Sequence, residues 1–443
     1  MNMNYKFFLL IPLIFFGCSG GEADYSLSDI NPDAQGKFID DAVSGLEYTR
    51  SNGERAITMS SGDYSYRKGE LITFNVGAVD IGTASAGFVI TPRELAVGAT
   101  VIEDPRVYNR VRFIKALDSS EGIGIEINTT LREQALQWED DIDFNLDALA
   151  FDTEVARVTH NELTLKHTKD AAIAQFRKTL SCVYSGAYQG AWNVPDSNES
   201  SGYVGVMVQA DSDVILMGNG RSIPALSVSS NYTLNSGQVL PAGTTIVEQN
   251  NSVMYVVGTH DVNTKSYGFD TNVYWYYNRT YHELLGVNKS NGNISGTGTY
   301  LSYDKVLGTF SIGAESGSYH VYRADASRKA AFRYTGIGVQ DSVGVIGLLI
   351  MDIDKDGSIL GLIHDVRNTA IQPQLHGSVD FSTGNVNITV VSPELTSYLT
   401  GNLYENDTAI ETLRDVNLSW HNEANDVNYG YVEIDGCQLQ AIQ

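Results

Sequence analysis

The sequence is short of positive charge. Its 443 residues contain 29 Lys and Arg against 53 Asp and Glu, which gives a formal net charge of −24 at pH 7. A surface this acidic repels phosphate backbones, so we expect no nucleic-acid partner. The charge favours solubility, but by itself it does not identify a ligand.

The sequence also lacks the short motifs of common enzyme classes. It contains no G-x-S-x-G elbow, no H-E-x-x-H, no Walker loop and no G-x-G-x-x-G between a strand and a helix. Acidic runs such as Glu139 to Asp141 are plentiful, yet none stands out as the carboxylate pair of a glycoside hydrolase. We therefore expect that the chain is not an enzyme.

Long apolar runs are absent except at the N-terminus. Phe7–Phe16 supplies ten apolar residues, and as a helix these would span about 15 Å, too little to cross a hydrocarbon core of about 30 Å. Such a run is typical of a signal peptide. It ends in Gly17-Cys18, which resembles a bacterial lipobox, although two phenylalanines replace the usual Leu and small residue before Gly17.

This resemblance implies a lipid anchor. Residues 1–18 would be the lipoprotein signal peptide and lipobox, with the lipid carried by Cys18. The residue after Cys18 is Ser19 and not Asp, which resembles the pattern that directs lipoproteins to the outer membrane. We therefore expect an outer-membrane or cell-surface protein anchored by its N-terminal lipid, with the periplasmic face as the alternative. Residues 19–36 are small, polar and acidic and predict a flexible tether.

Two further cysteines remain once Cys18 is assigned to the lipid. Cys182 opens the β-rich part of the chain and Cys437 closes it. An even pair in an oxidising compartment predicts a disulfide, and two buried free thiols are the alternative.

The first part of the mature chain predicts a small β-sandwich over residues 37–100. Short alternating runs are broken there by Gly, Asn-Gly and Asp, as in strands joined by tight turns. The strings DDAVSGLEYT and GDYSYRKGELITFNVGAVDIG resemble the N-terminal module of Gram-negative surface lipoproteins and adhesin-like proteins, which are mostly uncharacterised. The resemblance extends to about residue 180.

Helical spacing follows over residues 101–181. Asp104 and Pro105 suit the N-cap and the first position of a helix, and apolar residues recur after them with helical period. Thr168 predicts the cap of a second helix, whose Ile173, Phe176 and Leu180 share one face. These helices predict a bridge between β-rich regions.

The remaining chain predicts two related antiparallel copies, each a meander or a barrel-like sheet, over residues 182–330 and 331–443. Similar strings recur at an offset of about 150 residues in the first half of each copy and about 92 in the second half. The change of offset indicates an insertion of roughly 50 residues, between positions 220 and 285 of the first copy.

One motif has the residue types of a calcium loop. Asp352, Asp354 and Asp356 precede Gly357 in a D-x-D-x-D-G run, where three carboxylates could surround one calcium ion. An EF-hand would need Glu at the twelfth position, which is Ile363. The alternative is a β-hairpin whose Asp-Gly pair makes the turn.

An aromatic run is the second candidate site. It consists of Tyr274, Trp275, Tyr276, Tyr277 and the nearby Tyr281. Exposed Tyr and Trp rings can stack on sugars or anchor a protein, whereas on one face of a strand they would be core. Both interpretations stay open.

Three functions follow in order of preference. The first is a surface lipoprotein that acts as a binding or adhesive module for a glycan or a protein. The alternative is a β-barrel carrier of a small apolar or haem-like ligand, and the third is a polysaccharide-active enzyme. An unfilled cavity inside the β region would favour the carrier over the binding module.

Overall fold

The protein is mainly β, with 52% strand and 16% helix. It consists of an N-terminal α+β unit and two C-terminal barrels, as the fold class predicted. Cys18 and the predicted lipobox lie outside the described residues. The computed structural model describes residues 33–120, 124–139, 142–195, 201–220, 226–246, 253–272, 274–276, 293–324, 331–340, 344–365, 372–393, 396–404, 416–422 and 427–438.

The described part of the N-terminal unit contains a four-stranded antiparallel sheet, a three-stranded mixed sheet and a two-stranded parallel pair. Its described strands are Ala34–Phe38 (β1), Val43–Ser44 (β2), Glu47–Arg50 (β3), Arg55–Ile57 (β4), Asp63–Tyr66 (β5), Leu71–Val76 (β6), Val79–Ser85 (β7), Val89–Ile90 (β8) and Ile125–Glu126 (β9). The four-stranded sheet has the order β4-β3-β6-β7, in the three-stranded sheet β1 lies between β5 and β8, and the parallel pair is β2 with β9. Ile72, Phe74 and Val76 alternate inward along β6, which gives the sheet one apolar face.

Strand β1 differs from the sequence prediction because it begins at Ala34, inside the segment expected to be tether. Gln35 and Gly36 pair with Ser65 and Tyr64 of β5. Gly36 is required there, because a Cβ would lie 2.4 Å from a backbone oxygen and 2.6 Å from the Tyr64 ring.

Helices cover the sandwich and lead out of it. They are Pro92–Leu95 (α1), Pro105–Ala116 (α2), Thr129–Ala135 (α3), Ala148–Val158 (α4) and Lys169–Tyr184 (α5). Asp104 and Thr168 cap α2 and α5 as predicted, each accepting a backbone N–H. Phe151 and Val155 of α4 pack in the same core as the sheets. The helical segment therefore joins the sandwich to the barrels, and most of it also packs on the sandwich. Among the described residues, no helix is long and apolar enough to cross a bilayer.

The first barrel follows α5 directly. Its described strands, with the small hairpins inserted in it, are Gly186–Asn193 (β10), Ser201–Val208 (β11), Asp213–Gly220 (β12), Leu226–Ser227 (β13), Tyr232–Thr233 (β14), Val239–Leu240 (β15), Thr245–Ile246 (β16), Val253–Asp261 (β17), Ser266–Asn272 (β18), Tyr274–Tyr276 (β19), Asn293–Ser302 (β20), Lys305–Ile312 (β21) and Glu315–Arg323 (β22). The ring runs β10-β11-β12-β17-β18-β20-β21-β22 and closes where β22 pairs with β10.

The second barrel has the same strand order. Its strands are Phe332–Gln340 (β23), Gly344–Ile353 (β24), Ser358–Asp365 (β25), Gln374–Val379 (β26), Asn385–Val391 (β27), Thr396–Asn402 (β28), Val416–Asn422 (β29) and Val427–Gln438 (β30). Consecutive strands pair, and β30 pairs with β23 to close the ring. The two related copies are therefore two eight-stranded barrels.

The detailed alignment of the copies holds only in their first halves. The offset of about 92 residues aligns Asn293, the first residue of β20, with Asn385, the first residue of β27. However, β20 is the sixth strand of its ring and β27 is the fifth. The second half of the alignment is thus displaced by one strand. Short Gly-containing strings suit any strand of such a barrel, because alternate positions face inward in all of them.

The two barrels pack outer face against outer face. Met207 and Met217 of the first barrel contact Leu348 and Ile350 of the second in one buried apolar cluster. A disulfide joins Cys182 to Cys437, with their Cα atoms 5.6 Å apart, so the predicted pairing is confirmed. Cys182 lies in the last turn of α5, so the disulfide ties that helix to the second barrel while each barrel closes by its own hydrogen bonds.

Candidate ligand-binding cleft

Both barrels are filled by their own side chains. In the first barrel the rings of Tyr267 and Tyr319 are buried and their hydroxyl groups lie 3.1 Å apart. Gly298 and Gly308 make room for these rings, since a Cβ at either position would lie within 2.2 and 2.0 Å of them. The second barrel is packed with buried aliphatic and aromatic residues, including Phe332, Leu349, Met351, Ile388, Leu399 and Trp420.

A cleft of about 1240 Å³ opens outside the barrels, where the N-terminal unit, α5 and both barrels meet. Each of these parts supplies lining residues. Those used below are Lys37, Asp41 and Phe88 of the N-terminal unit, Ala171, Ala174, Gln175, Arg177, Lys178 and Cys182 of α5, Asp211, His260, Asp261 and Tyr303 of the first barrel, and Arg333, Asp435 and Cys437 of the second.

One wall of the cleft is the exposed face of α5. Ile173 and Phe176 are buried on the opposite side of this helix, so residues at the complementary positions face outward. Ala171, Ala174 and Lys178 occupy these positions and are exposed. The short side chains of the two alanines leave space in the cleft along this wall.

The facing wall is made of strand ends of the two barrels. The backbone N–H of Asp211 donates to Asp435 Oδ2 at 2.9 Å, which joins the first barrel to the second. The Arg333 guanidinium donates to both Asp352 oxygens at 2.8 and 3.2 Å. The Asp435 carboxylate and the Arg333 guanidinium are therefore held in fixed positions beside the disulfide.

His260 is a buried imidazole in the lining of the cleft. Its side chain is 5% exposed, and neither ring nitrogen has a hydrogen-bond partner among the described residues. The rings of Tyr184 and Tyr300 lie 5.5 and 5.3 Å from it. Burial lowers the pKa of His260 to about 4, opposed weakly by Asp261. The imidazole is therefore neutral at pH 7.

A buried charged cluster supports the floor of the cleft. Lys115 Nζ lies 2.7 Å from Asp41 Oδ2 and 3.6 Å from Asp40 Oδ1, and Gln175 Nε2 donates to Asp41 at 3.1 Å. Through Asp41, the cluster links the turn that follows β1 to α2 and α5. Burial raises the pKa of Asp40 to about 7, against the opposing attraction of Lys115.

The predicted calcium loop is a β-hairpin. Asp352 is buried in the ion pair with Arg333, whereas Asp356 Oδ1 accepts from the Ser358 N–H and hydroxyl at 2.9 and 2.6 Å. The described residues contain no group of three or more His, Cys, Asp or Glu placed to hold a metal ion. The segment forms a β-hairpin, with Gly357 at a φ of +83° in the turn, and calcium binding by these carboxylates stays a prediction.

The aromatic run is only partly described. Tyr274, Trp275 and Tyr276 form β19, which pairs with the first residues of β17, while Tyr277 and Tyr281 lie outside the described residues. The cleft is at the other end of β17, six residues and about 20 Å away. The cleft is therefore a separate site, and a ligand face at the aromatic run stays a prediction.

Comparisons with known proteins yield only weak structural similarities. No family and no curated protein matches the sequence. The chain is similar to a redesigned β-barrel, at 12% identity and a TM-score of 0.19, over 32% of this chain and 94% of the barrel. It is similar to an uncharacterized Saccharomyces cerevisiae protein, at 12% identity and a TM-score of 0.22, over 56% and 97% of the chains. It is similar to a double mutant of transferrin binding protein B from Haemophilus parasuis, at 8% identity and a TM-score of 0.16, over 58% and 76%. None of these similarities carries an argument about function.

Proposed function

We propose that this chain is a lipid-anchored surface protein that binds a glycan or protein partner on its outside, in the cleft between its units. The observation that carries this proposal is the cleft of about 1240 Å³ formed jointly by the N-terminal unit, α5 and both barrels. Binding sites commonly lie at such junctions, where several elements present side chains to one space.

Packing inside the barrels supports this proposal over the carrier alternative. A carrier of a small apolar or haem-like ligand needs space within the ring of strands. Here Tyr188, Tyr267, Tyr300 and Tyr319 are buried within the first barrel, and the second barrel holds its own apolar core. A ligand inside either barrel would have to displace these side chains.

The anchor belongs to the same proposal. A signal peptide ending at Cys18, together with the resemblance to Gram-negative surface lipoproteins, supports attachment to the outer membrane or cell surface. The acidic surface keeps the tethered part soluble. A polysaccharide-active enzyme is not favoured by any arrangement of described residues.

Binding arrays with a cleft-blocking variant test the proposal. The purified mature chain is applied to glycan and host-protein arrays, and haem and fatty acids are titrated in parallel. Ala174→Trp places an indole in the cleft from its exposed wall, and Leu149→Trp, at an exposed helical position on α4, is the matched control. We expect Ala174→Trp alone to abolish capture of the partner. Stoichiometric binding of haem or a fatty acid, without any array ligand, would instead establish the carrier.

A further inference from the structure

We propose that the protein forms a reversible two-fold dimer through an exposed face of its first barrel. The face consists of the outward side chains of residues 189–193 on β10, 293–301 on β20, 305–311 on β21 and 316–322 on β22, and we call it the carboxylate-free face. This contact is distinct from the cleft and does not depend on its ligand. Three features of the face lead to the dimer: its position, its charge and its apolar centre.

The carboxylate-free face is the part of the barrel wall beside the contact between the two barrels. Strands β20, β21, β22 and β10 are neighbours in the ring, and β10 continues into the barrel–barrel contact through Ala187. Buried and exposed residues alternate along β20, β21 and β22, so Thr297, Thr309 and Ser318 point outward and are exposed. This part of the wall therefore remains open to solvent beside a part that is already covered.

The face differs from the rest of the chain in its charge. Asp and Glu make up 53 of the 443 residues, and the net charge is −24. None of the residues of this face is acidic, and Lys305 carries its one formal charge. Asp304 and Glu315 are exposed at its two ends, and Asp270 lies on the neighbouring strand β18. Two molecules with this net charge repel each other over most of their surfaces, so the approach of two copies costs least at this face.

Three large apolar side chains are exposed together at one end of the face. Leu301, Leu307 and Tyr322 are 57%, 43% and 48% exposed, and they lie on the adjacent strands β20, β21 and β22. Leu307 pairs with His320 and Tyr322 with Lys305, which brings the three side chains within reach of one another. Exposed apolar clusters with a polar rim mark interaction sites, and the centre of an interface is poor in charge. The cluster has both properties.

The contact between the barrels within one chain shows how such faces pack. It is formed by the first three strands of each ring, β10–β12 and β23–β25, so corresponding outer faces lie against each other. A two-fold dimer repeats this arrangement between two first barrels, because an isologous contact joins the same patch on both copies. Leu301, Leu307 and Tyr322 of one copy then pack against the same cluster of the other.

The size of the face sets the strength of the dimer. Four strands about 4.8 Å apart and about 30 Å long give roughly 570 Å² per copy. Two copies then bury roughly 1,100 Å², close to the lower bound of about 1,200 Å² for stable interfaces. We therefore expect a weak dimer that dissociates on dilution.

Sedimentation velocity of the lipid-free Cys18→Ser protein over a wide concentration range tests the dimer. In this background, Leu307→Glu places a carboxylate in the apolar cluster, and Leu360→Glu, at a similarly exposed position on β25 of the second barrel, is the matched control. We expect the parent protein and Leu360→Glu to shift from monomer to dimer as the concentration rises. Leu307→Glu should weaken the dimer at least about tenfold, because a buried unpaired charge is costly. Equal melting temperatures of the two variants show that both are folded.

Cross-linking is a second measurement that does not depend on loss of the contact. In the lipid-free protein Cys182 and Cys437 are joined to each other, so Leu307→Cys supplies a single thiol on the face. Two such thiols meet near a two-fold axis through the cluster. Mild oxidation should therefore yield a covalent dimer of Leu307→Cys but not of Leu360→Cys, and absence of that dimer would overturn the two-fold contact.

Three sedimentation results would also overturn the proposal. They are a monomer at every concentration, a dimer that Leu307→Glu leaves unchanged, and oligomers that grow beyond two copies. A monomer that floats with phosphatidylethanolamine–phosphatidylglycerol vesicles, and no longer does so after Leu307→Glu, would assign the face to a lipid surface instead. None of these results bears on ligand binding in the cleft.

Discussion

Asp40 is a fully buried carboxylic acid without a hydrogen-bond partner among the described residues. Its burial favours the neutral form, and the Lys115 ammonium at 3.6 Å opposes this. The net result is a pKa of about 7 in the folded protein, against 3.8 for an unperturbed Asp carboxyl. Between pH 3.8 and about pH 7, Asp40 therefore keeps its proton in the folded protein but has released it in the unfolded chain.

This proton makes stability depend on pH in a defined direction. The stabilisation from protonated Asp40 is fully present below pH 3.8 and is lost as the pH rises through about 7. Asp40→Asn keeps a neutral side chain at every pH. We therefore expect urea unfolding to show the variant gaining stability relative to the unmodified protein from pH 5 to pH 8, by a few kcal/mol at most. The exposed Asp80→Asn is the control, and parallel pH curves for Asp40→Asn and unmodified protein would contradict the assignment.

Arg323 stabilises the end of α5. Its guanidinium donates to the carbonyls of Ser185 and Val183 at 2.7 and 2.9 Å, and to the Tyr188 hydroxyl at 2.6 Å. Helices leave their last carbonyls unpaired, and a cation there also matches the helix dipole. The last strand of the first barrel thus caps the helix that precedes its first strand.

Removal of this cap should be costly. Arg323→Met keeps the apolar stem but leaves buried carbonyls without donors, so we expect the free energy of unfolding to fall by about 3 kcal/mol. Arg157→Met, at an exposed ion pair on α4, should change it by less than about 1 kcal/mol. Both values come from urea unfolding, and equal effects of the two substitutions would contradict a capping role for Arg323.

At the scale of elements, the Asp-rich hairpin shows which features of the structure adjacent residues determine and which they do not. The Asp-Gly turn between β24 and β25 was one of two predicted alternatives, because turn chemistry depends on adjacent residues. The partner of Asp352 could not be predicted, since Arg333 lies on β23 and approaches only when the strands pair. Alternation then places these two side chains on the outer face of the barrel.

The carboxylates of this hairpin should respond differently to substitution. Asp352→Ala removes the carboxylate that pairs with the buried Arg333 guanidinium, which should cost about 3–5 kcal/mol. Asp356→Ala removes only exposed turn contacts and should cost no more than about 1 kcal/mol. Millimolar calcium should leave the melting temperature of the unmodified protein unchanged. A calcium-dependent rise that Asp354→Asn abolishes would restore the metal-site interpretation.

The sequence predicted the helices in more detail than it predicted the pairing of the strands. The caps Asp104 and Thr168 and the buried face of α5 followed from residues within one or two turns of each other. The existence of two barrels followed from repetition along the chain. The matching of strands between the second halves of the two barrels did not follow from the sequence. It depends on contacts that Gly- and Thr-rich strings do not encode uniquely.

At the scale of the whole molecule, the cleft could not be predicted from the sequence. Its lining extends from Lys37 to Cys437, and no motif joins these segments. His260 stands alone in the sequence, and its burial beside Tyr184 and Tyr300 arises only when these segments pack together. A site assembled at the junction of several units is hard to predict from sequence, because the position of each segment depends on the packing of its own unit.

The disulfide is one of the links between these units. Cys182 and Cys437 are 255 residues apart, and a loop of that length gives at most about 5 kcal/mol by chain entropy. The paired Cys182→Ser and Cys437→Ser substitutions should lower the melting temperature while both barrels stay folded, since each ring closes by its own hydrogen bonds. Calorimetry measures the loss, and non-reducing peptide mapping of unmodified protein should recover the joined peptides. Two free thiols in that map would contradict the pairing.

The proposed membrane attachment of the molecule depends on Cys18. The ten apolar residues before it are too few to cross a bilayer, so stable anchoring requires acyl chains, each buried CH₂ contributing about 0.8 kcal/mol. Cys18→Ser should move the protein from the detergent phase to the aqueous phase and remove incorporation of labelled palmitate. The paired Cys182→Ser and Cys437→Ser variant, which keeps Cys18, is the matched control and should remain in the detergent phase with full label. If Cys18→Ser stays in the detergent phase with undiminished label, the lipid is elsewhere and the surface-lipoprotein proposal is wrong.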